Sequence, residues 1–408
     1  MPDLDRDPRP VLMVLASTYP RWADDREPGF VHELAKRMVG TFRVIAIVPS
    51  APGAAGREVL DGVEVVRFRY APRRWETLVN DGGILANLKR SGMKYLLLPG
   101  FAISQLVTAG RCLRREQVDI VHAHWLLPAG AVAALLRMSS GARTPYLVTS
   151  HGADLFALRS GIFQRLKRWV AKGAAGITVV STAMRRELAA IGVPPSRVSV
   201  QPMGVDLSER FTPIANVPRS PVEILFVGRI VAKKGLIHLI DAMPAILAEH
   251  PSAFLTVVGF GPEEAACRGR VRELSIDDHV RFVGGVSQTA LPELYRRAAV
   301  FVAPFVQASD GDQEGLGLVV VEAVGCGCPV VVSDLPAVRD VFANESPAAL
   351  VKSGSPLELA RAVSAVLSSP PGTESLRKSL LHRFDWSVVA NGYVDLLGQL
   401  VGARGRSL

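Results

Sequence analysis

Two glutamates that lie eight positions apart, Glu314 and Glu322, are the residues of this sequence most suited to chemistry. Glu314 lies in a glycine-rich loop, whereas Glu322 lies in the apolar stretch that follows and that is predicted to be a buried helix. A carboxylate in an apolar helix is unfavourable unless a partner satisfies it. Glycines before a helix leave backbone N–H groups free to bind phosphate. The pattern therefore predicts a ligand with a phosphate end and a polyhydroxyl end, such as a nucleotide sugar.

Two cations follow the predicted strand Glu223–Val227 and precede the next helix. Arg229 can bind phosphate oxygens in a bidentate way, and Lys234 supplies a point charge. A basic loop by itself is more often a solvent-facing surface. Because two acids lie downstream of it, we interpret this loop as a diphosphate site.

A histidine ends another predicted strand, within the segment Thr149-Ser150-His151-Gly152-Ala153-Asp154. His151 is suited to bind a sugar hydroxyl or relay a proton, although a histidine at a strand end is often only a hydrogen-bonded structural residue. Asp154 is suited either to the sugar or to the N-cap of the next helix. His122 and His124 alternate on a strand end, but no acid or cysteine follows at ligand spacing, so no metal site is expected.

Length, cysteine content and charge limit the class of protein. A chain of 408 residues is too long for one ordinary core, so two domains are expected. Its four cysteines show no paired metal spacing, and the charged, proline-bearing first ten residues do not resemble a signal peptide. We therefore expect a reduced, cytoplasmic protein. Residues 1–210 hold 29 Lys and Arg against 18 Asp and Glu, an excess of 11, whereas the remaining residues hold 18 against 20.

Short apolar runs alternate with helical patterns in both halves, which predicts α/β domains with parallel sheets. The predicted strands are Val11–Ala16, Val44–Val48, Ile120–Ala123, Tyr146–Thr149, Gly176–Val180, Glu223–Val227, Phe254–Val258, Val280–Val283, Val300–Ala303 and Pro329–Val332. The expected domains are residues 1–212 and 222–384, joined by a proline-bearing linker at 213–221. Residues 385–408 are expected to form a helix that packs back toward the first domain. Ligands of such sheets bind beyond the carboxyl ends of the strands, where the residues above lie.

These residues belong to a larger pattern. The sequence resembles family 4 retaining glycosyltransferases, which have the GT-B fold of two Rossmann-like domains facing each other across a deep cleft. The matching segments are Ser17-Thr18-Tyr19-Pro20 with Gly29, Val121-His122-Ala123-His124-Trp125, Ser150-His151-Gly152-Ala153-Asp154, Pro202-Met203-Gly204-Val205-Asp206, Phe226-Val227-Gly228-Arg229 with Lys234-Gly235, Val258-Gly259-Phe260-Gly261-Pro262-Glu263, and the Glu314/Glu322 pair. They cover most of the chain in the order of the family. Met203 stands where the family often has asparagine, so no role is inferred for it.

The resemblance implies a role for each candidate residue. The donor diphosphate would be held by Arg229, Lys234, Gly29 and the backbone of Leu318 and Val319. Glu322 would bind the ribose, and the nucleobase would lie near Gly285 and Val286. The donor sugar would contact His151, Asp154, Glu314 and Gly315, with Glu314 and His151 as the catalytic residues. Preorganised cations would stabilise the leaving group, so neither a metal nor another cofactor is expected.

The leading hypothesis is transfer of a hexosyl group from a UDP- or GDP-sugar to a hydroxyl acceptor, either lipid-linked or a cell-surface glycan precursor. A small soluble acceptor is the alternative, as is an epimerase or a nucleotide-sugar-binding protein of the same fold. The basic first half, with clusters at Arg67–Arg74 and Arg165–Lys172 and the apolar run Tyr95–Gly110, indicates peripheral contact with an anionic membrane, on its cytoplasmic face. Scattered cations with 6% aromatic residues do not favour nucleic-acid binding.

Overall fold

The computed structural model describes residues 7–22, 25, 29–80, 83–139, 144–156, 158–215, 217–343, 346 and 349–405. The chain divides into two compact units. The first unit comprises Met1–Val180, Met184–Gln201 and Ala390–Leu408, and the second comprises Ser181–Ala183 and Pro202–Val389. The domain boundaries predicted from the sequence lie at residues 212 and 384, whereas the units divide after Gln201 and Val389.

Local contacts explain why residues 202–212 belong to the second unit. Phe211 packs edge-on against Tyr295, with ring centroids 6.2 Å apart. Arg296 Nε donates to the carbonyl oxygen of Thr212 at 2.7 Å. The proposed linker at 213–221 also lies in the second unit, and its residue 216 is outside the described residues.

The first unit holds an eight-stranded sheet among its described residues, in the order β3-β4-β2-β1-β5-β6-β7-β8. Its strands are β1 (Val11–Leu15), β2 (Arg43–Pro49), β3 (Arg57–Leu60), β4 (Val63–Phe68), β5 (Ile120–His124), β6 (Tyr146–Ser150), β7 (Gly176–Val179) and β8 (Val198–Val200). The pairs are parallel except β3 with β4. The central strand β1 is registered with both neighbours, since Leu12 pairs with Val44 and with Ile120.

The second unit holds a six-stranded parallel sheet among its described residues, in the order β11-β10-β9-β12-β13-β14. Its strands are β9 (Glu223–Val227), β10 (Phe254–Val258), β11 (Val280–Gly284), β12 (Val300–Ala303), β13 (Val330–Ser333) and β14 (Ala349–Val351). Strand β9 is buried throughout, which explains the apolar run that follows its first residue, Glu223. Its side chains Ile224 and Phe226 form one core with Leu239 and Val302.

Helices connect the strands of each sheet, as the alternating pattern predicts. They are α1 (Phe30–Arg37), α2 (Gly83–Arg90), α3 (Leu97–Arg115), α4 (Ala131–Ser139), α5 (Ala153–Phe156), α6 (Gly161–Gly173), α7 (Thr182–Ala190), α8 (Leu236–Glu249), α9 (Glu264–Glu273), α10 (Leu291–Arg297), α11 (Leu318–Gly325), α12 (Pro336–Phe342), α13 (Pro356–Ser368), α14 (Glu374–Phe384) and α15 (Trp386–Gly405). Residues 390–405 of α15 belong to the first unit. There Leu400 lies beside Gly176, and Tyr393 donates to the Gln201 carbonyl at 3.1 Å.

Each sheet reverses its strand order at one position, which is where ligands of open α/β sheets bind. In the first unit this position lies between β1 and β5, and in the second it lies between β9 and β12. The loop before α1 follows β1, and Trp125 follows β5. Arg229 follows β9, and Glu314 follows β12. Of the residues predicted from the sequence, Gly29, Arg229 and Glu314 therefore lie beyond the carboxyl ends of strands that flank these positions, each within its own unit.

Candidate active site

The turn after β9 positions Lys234 against the end of β12. Lys234 ends a short 3₁₀ turn, Ala232–Lys234, and Gly235 follows with φ 64°. A side chain at Gly235 would place its Cβ 1.9 Å from the carbonyl oxygen of Pro304. Only glycine allows this approach, which brings the lysine next to the loop that carries Glu314.

Lys234 and Glu314 form an ion pair with 2.7 Å between Nζ and Oε2. The lysine ammonium also lies 4.6 Å from the centre of the Phe305 ring. The neighbouring Lys233 faces a separate partner, Asp312, at 3.1 Å. Burial raises the pKa of Glu314, but the charges of Lys234 and Lys233 outweigh burial and lower the pKa to about 2. Glu314 is therefore a carboxylate at any ordinary pH.

Glu322 lies on α11, one turn after the helix begins at Leu318. Burial raises the pKa of Glu322 to about 7, although the Tyr295 hydroxyl donates to its Oε2 at 3.0 Å and opposes the shift. The backbone N–H groups of Leu318 and Val319 lie in the first helical turn, where no helical carbonyl precedes them. The helix thus presents two amides and a carboxyl group that titrates near neutrality.

Arg229 is the other cation that was predicted to bind the diphosphate. It lies half-buried directly after β9 and makes further contacts within the protein. Gly315 supports Glu314 from the backbone, since its N–H is hydrogen-bonded to the Glu314 carboxylate. The structure thus brings Lys234, Glu314 and Gly315 together.

The proposed nucleobase residues, Gly285 and Val286, directly follow β11. The ring of Phe260 lies 3.1 Å from the position of a Cβ on Gly285, and 42% of Phe260 is exposed. A flat aromatic face beside a glycine is suited to stacking on a base. Phe260 was not identified in the sequence as a site residue, although its position between Gly259 and Gly261 was a usable signal.

In the first unit, Gly29 is the N-cap residue of α1 and accepts a hydrogen bond from Glu33 N at 2.8 Å. The next residue, Phe30, lies 4.9 Å from the His151 ring and 6.0 Å from the Trp125 ring, measured between centroids. Gly29 and His151 are thereby brought to the same edge of the first sheet. Residues 26–28 of the segment leading to Gly29 lie outside the described residues.

Trp125 adopts a backbone conformation that non-glycine residues rarely adopt, with φ 74° and ψ 138°. Such strain costs about 1–3 kcal/mol and requires support from the surrounding structure. Trp125 N donates to the Thr149 carbonyl at 2.7 Å, and Trp125 O accepts from Gly130 N at 3.0 Å. The indole consequently lies 5.1 Å from the His151 ring. Trp125 was not identified in the sequence as a site residue, because a positive φ has no local signal at a tryptophan.

His151 is half-buried at the end of β6, and burial lowers its pKa to about 3. Its Nε2 lies 2.9 Å from Nδ1 of the fully buried His124. A neutral imidazole with so low a pKa suits hydrogen bonding better than proton uptake at neutral pH. The sequence interpretation of His151 as a proton relay is therefore less favoured than its role as a hydrogen-bond partner.

Asp154 is buried and serves the protein itself. Its Oδ2 accepts from the backbone N–H of Leu126 at 2.6 Å, and its Oδ1 accepts from the Ser150 hydroxyl at 2.8 Å. Burial raises the pKa of Asp154 despite these bonds. Its observed contacts fix the loops after β5 and β6, so the sugar contact implied by the resemblance stays a prediction.

The two basic clusters, Arg67–Arg74 and Arg165–Lys172, were expected to form a membrane-contacting surface, but only part of each is exposed. Two of their members face inward: Lys167 donates to the carbonyls of Leu155 and Leu158, at 3.0 and 2.7 Å, and Arg67 donates to Pro20 O and Glu58 Oε1, both at 2.8 Å. These charges therefore do not belong to a surface that could contact a membrane. Other members of the clusters, Arg73, Arg74, Arg165, Arg168 and Lys172, are exposed.

One helix within the described residues, Gly92–Arg115, is long and apolar enough to cross a membrane by length and composition. Core helices of soluble proteins can also meet these criteria, but only 22% of the apolar window of Gly92–Arg115 is buried. Met93 and Leu96 are each 79% exposed. Within the same described residues, no group of three or more His, Cys, Asp or Glu side chains is placed to hold a metal ion.

Comparisons with known proteins agree with this arrangement. A family model described as "Glycosyl transferases group 1" matches residues 208–380, and one described as "Glycosyl transferase 4-like domain" matches residues 30–204. Over 283 residues the chain is 31% identical to the phosphatidyl-myo-inositol mannosyltransferase of Mycobacterium leprae (strain TN). The aligned region covers 67% of this chain and 71% of that relative.

Solved structures share the fold. The sucrose-phosphate synthase (tll1590) from Thermosynechococcus elongatus superposes with a TM-score of 0.76 at 22% identity, over 97% of this chain and 100% of that one. Anabaena Alr3699/HepE in complex with UDP superposes with a TM-score of 0.72 at 16% identity, over 95% and 100%.

Two Rossmann-like units with charged and hydrogen-bonding residues beyond their strand ends are the elements of the GT-B fold. The chain belongs to the family 4 retaining glycosyltransferases and is a hexosyltransferase. The predicted fold class and family are confirmed.

Proposed function

We propose that this enzyme transfers a hexosyl group from a UDP- or GDP-sugar to a hydroxyl group of a lipid-linked or cell-surface glycan precursor. The observation that carries the donor half of the proposal is the Lys234–Glu314 ion pair, 2.7 Å long, beside the amide-presenting start of α11. The UDP bound to the Anabaena structure supports a uridine donor by analogy of fold alone.

In this proposal a diphosphate oxygen competes with Glu314 for the ammonium of Lys234. Arg229 and the N–H groups of Leu318 and Val319 complete the anion site of the second unit. The carboxylate of Glu314 is then released toward the hydroxyl groups of the sugar. Glu314 therefore neutralises the charge of Lys234 until the diphosphate of the donor supplies a negative charge in its place.

Glu322 is proposed to accept both hydroxyl hydrogens of the ribose, which requires its ionised form. The nucleobase is proposed to lie on Phe260 beside Gly285 and Val286. His151 is proposed to hydrogen-bond the sugar, with Gly315 holding Glu314 in place.

During transfer, the bond from the anomeric carbon to the diphosphate breaks, the acceptor oxygen forms the new bond to that carbon, and the hydroxyl proton passes to the departing diphosphate oxygen. Negative charge grows on the departing diphosphate, where Lys234 and Arg229 stabilise it without reorganising. We propose that these cations and helix amides make a divalent metal unnecessary.

The proposal of a lipid-linked acceptor rests on an exposed apolar and basic surface of the first unit. We define this membrane surface as Trp75, Met93, Tyr95 and Leu96 with the cations Arg73, Arg74 and Lys94. The hydrogen bond from Lys94 Nζ to the Thr77 carbonyl, 2.9 Å long, ties its two segments together.

Both aromatic members of the membrane surface are more than half exposed, Trp75 at 54% and Tyr95 at 58%. Tryptophan and tyrosine favour the interface between headgroups and acyl chains, and arginines beside them favour anionic lipid. The mannosyltransferase relative is named for a phosphatidyl-myo-inositol acceptor, which supports the same class of acceptor here. Contact would then be peripheral, on the cytoplasmic face.

The test supplies radiolabelled UDP- and GDP-hexoses with vesicles of phosphatidylinositol and phosphatidylglycerol, and measures label in the organic phase. Label that enters the lipid with one donor supports the proposal. Label that moves only to soluble sugars contradicts the lipid acceptor, and a new nucleotide sugar formed without acceptor would indicate an epimerase. Thermal unfolding with each nucleotide ranks the donors, since saturating ligand stabilises by about a few kcal/mol.

A further inference from the structure

Three histidines of the first unit form a contiguous set, and the proposed function uses only one of them. His122 and His124 are fully buried, with ring centroids 4.2 Å apart. The rings of His124 and His151 lie within 7° of the same orientation, with centroids 5.2 Å apart. The 2.9 Å hydrogen bond from His124 Nδ1 to His151 Nε2 therefore joins two nearly parallel rings at their edges.

Proton counting restricts this hydrogen bond to two arrangements. Burial lowers the pKa of His124 and of His151 far below neutrality, so both rings are neutral and each carries one N–H. Either His124 donates from Nδ1 to His151, or His151 donates from Nε2 to His124. The second arrangement forces the proton of His124 onto its own Nε2.

The surroundings of His124 distinguish the two arrangements. Its Nε2 is buried and has no hydrogen-bond partner among the described residues. A buried N–H without an acceptor is rarer than a buried acceptor without a donor. His124 is thus favoured as the donor, with its unpartnered Nε2 carrying a lone pair.

The same preference for a buried lone pair over a buried unpaired N–H assigns the ring proton of His122, the third histidine of the set. Its Nε2 lies 2.7 Å from the Thr149 hydroxyl, which itself lies 2.6 Å from the Thr178 hydroxyl. Its Nδ1 is buried without a partner among the described residues. An Nε2–H donor to Thr149 again leaves a lone pair, and not an N–H, unpaired. The ring of Tyr393, 5.5 Å away, covers this side.

We propose that His124 is a positioning residue that fixes His151 as the Nδ1–H tautomer, so that His151 presents a hydrogen-bond donor to a hydroxyl oxygen of the donor sugar. The proposal rests on the sugar-binding role of His151 given above. Nε2 of His151 accepts from His124, so the single ring proton of the neutral His151 lies on Nδ1. His151 then recognises an acceptor oxygen and does not take up a proton.

The first experiment measures the tautomer directly, before any substrate is added. Two-bond ¹H–¹⁵N spectra of the histidine-labelled enzyme at pH 7.5 distinguish protonated from bare ring nitrogens, and His151→Gln assigns the signal. We expect a protonated Nδ1 and a bare Nε2 at His151. A protonated Nε2 there would overturn the proposal.

The second experiment compares His124→Asn with His124→Leu, two side chains that branch at the same atom as the imidazole. The asparagine amide retains an N–H donor near the position of Nδ1, whereas leucine does not. We expect His124→Asn to keep kcat within about threefold of the wild type. His124→Leu should lower kcat by about tenfold or more, the value of one oriented hydrogen bond, with a smaller change in the donor KM.

A polar control guards against a folding defect in the leucine variant. His124→Gln places its amide near Nε2 and not near Nδ1, so it should resemble His124→Leu in kcat while thermal unfolding checks its fold. Equal kcat for the asparagine and glutamine variants would contradict the positioning role. Failure of all donors in the transfer assay, with His151 still protonated at Nδ1, would refute only the proposed function.

Discussion

The two units place different kinds of groups at the carboxyl edges of their sheets. In the second unit Lys234 and Glu314 form an ion pair and Glu322 titrates near neutrality, whereas in the first unit His124 and His151 are neutral. Charged groups respond strongly to pH, salt and partner loss, and neutral hydrogen bonds respond weakly. The units should therefore differ sharply in how substitutions and solution conditions affect them.

The largest effect is expected for Lys234→Ala, which should lower kcat/KM for the donor by at least about a hundredfold. The variant loses a charge-assisted phosphate contact, worth about 1.5–3 kcal/mol, and leaves Glu314 without its ion-pair partner. Steady-state kinetics and calorimetric nucleoside diphosphate affinity test this. Lys233→Ala is the matched control, since Lys233 pairs with Asp312, and it should lose less than about fivefold. Equal losses in both variants would remove the assigned role.

In the first unit, the charges that matter for membrane binding are expected on the protein surface and not at the carboxyl edge of the sheet. Reversal of Arg73 and Arg74 to glutamate should weaken binding to anionic vesicles by well over tenfold, because each basic residue contributes about 1 kcal/mol there. The measurement is vesicle sedimentation at low and high salt. Reversal of Arg185 and Arg186, which are exposed on α7, changes net charge equally and should have little effect. Absence of vesicle binding by the wild type would favour a soluble acceptor.

A smaller effect is expected for His151→Asn, which should lower kcat by about tenfold, about the contribution of one hydrogen bond. The shape of its pH profile from pH 5.5 to 8.5 should equal that of the wild type. His151 has a pKa of about 3, so it stays neutral throughout this range. If the wild-type profile falls at acidic pH and the profile of the variant does not, His151 titrates during turnover. The first unit would then also respond to pH, contrary to the difference described between the units.

The smallest effect is a pH dependence of nucleotide affinity. Glu322 has a pKa of about 7, and ribose binding requires its ionised form, so binding below pH 7 must release a proton. Affinity should level off above about pH 8 and fall by about fivefold between pH 7 and pH 6. Calorimetry with UDP or GDP measures this, and Glu322→Gln should flatten the curve. A dependence that survives in Glu322→Gln would assign the titration to another group.

The strands that carry the sites could be predicted from the sequence, because buried parallel strands are continuous apolar runs. All ten predicted strands are present, and β3, β4, β8 and β14 were missed. β3 is an exposed edge strand and β8 and β14 have three residues each, so their apolar signal is weak. Pairings across the chain could not be predicted either. The Lys234–Glu314 contact joins residues 80 positions apart and has no local signal.

The inward direction of Lys167 could have been predicted. It lies three and four positions before Val170 and Ala171, the buried residues of α6, and so shares their helix face. The charge excess of a segment does not distinguish such a buried lysine from an exposed one. The partners of Asp154 are different, because the backbone N–H of Leu126 comes from another strand-end loop. Local sequence predicted a polar role for Asp154 but could not identify the groups it binds.

The division of the chain also has a consequence for synthesis on the ribosome. The second unit, which comprises Ser181–Ala183 and Pro202–Val389, is complete once residue 389 has been made. The first unit begins earlier but still lacks residues 390–405, including Tyr393, which covers His122, and Leu400, which lies beside Gly176. The cover of the N-terminal sheet is therefore incomplete until the last helix has been made. The unit whose translation begins first needs the residues that are translated last to complete its core.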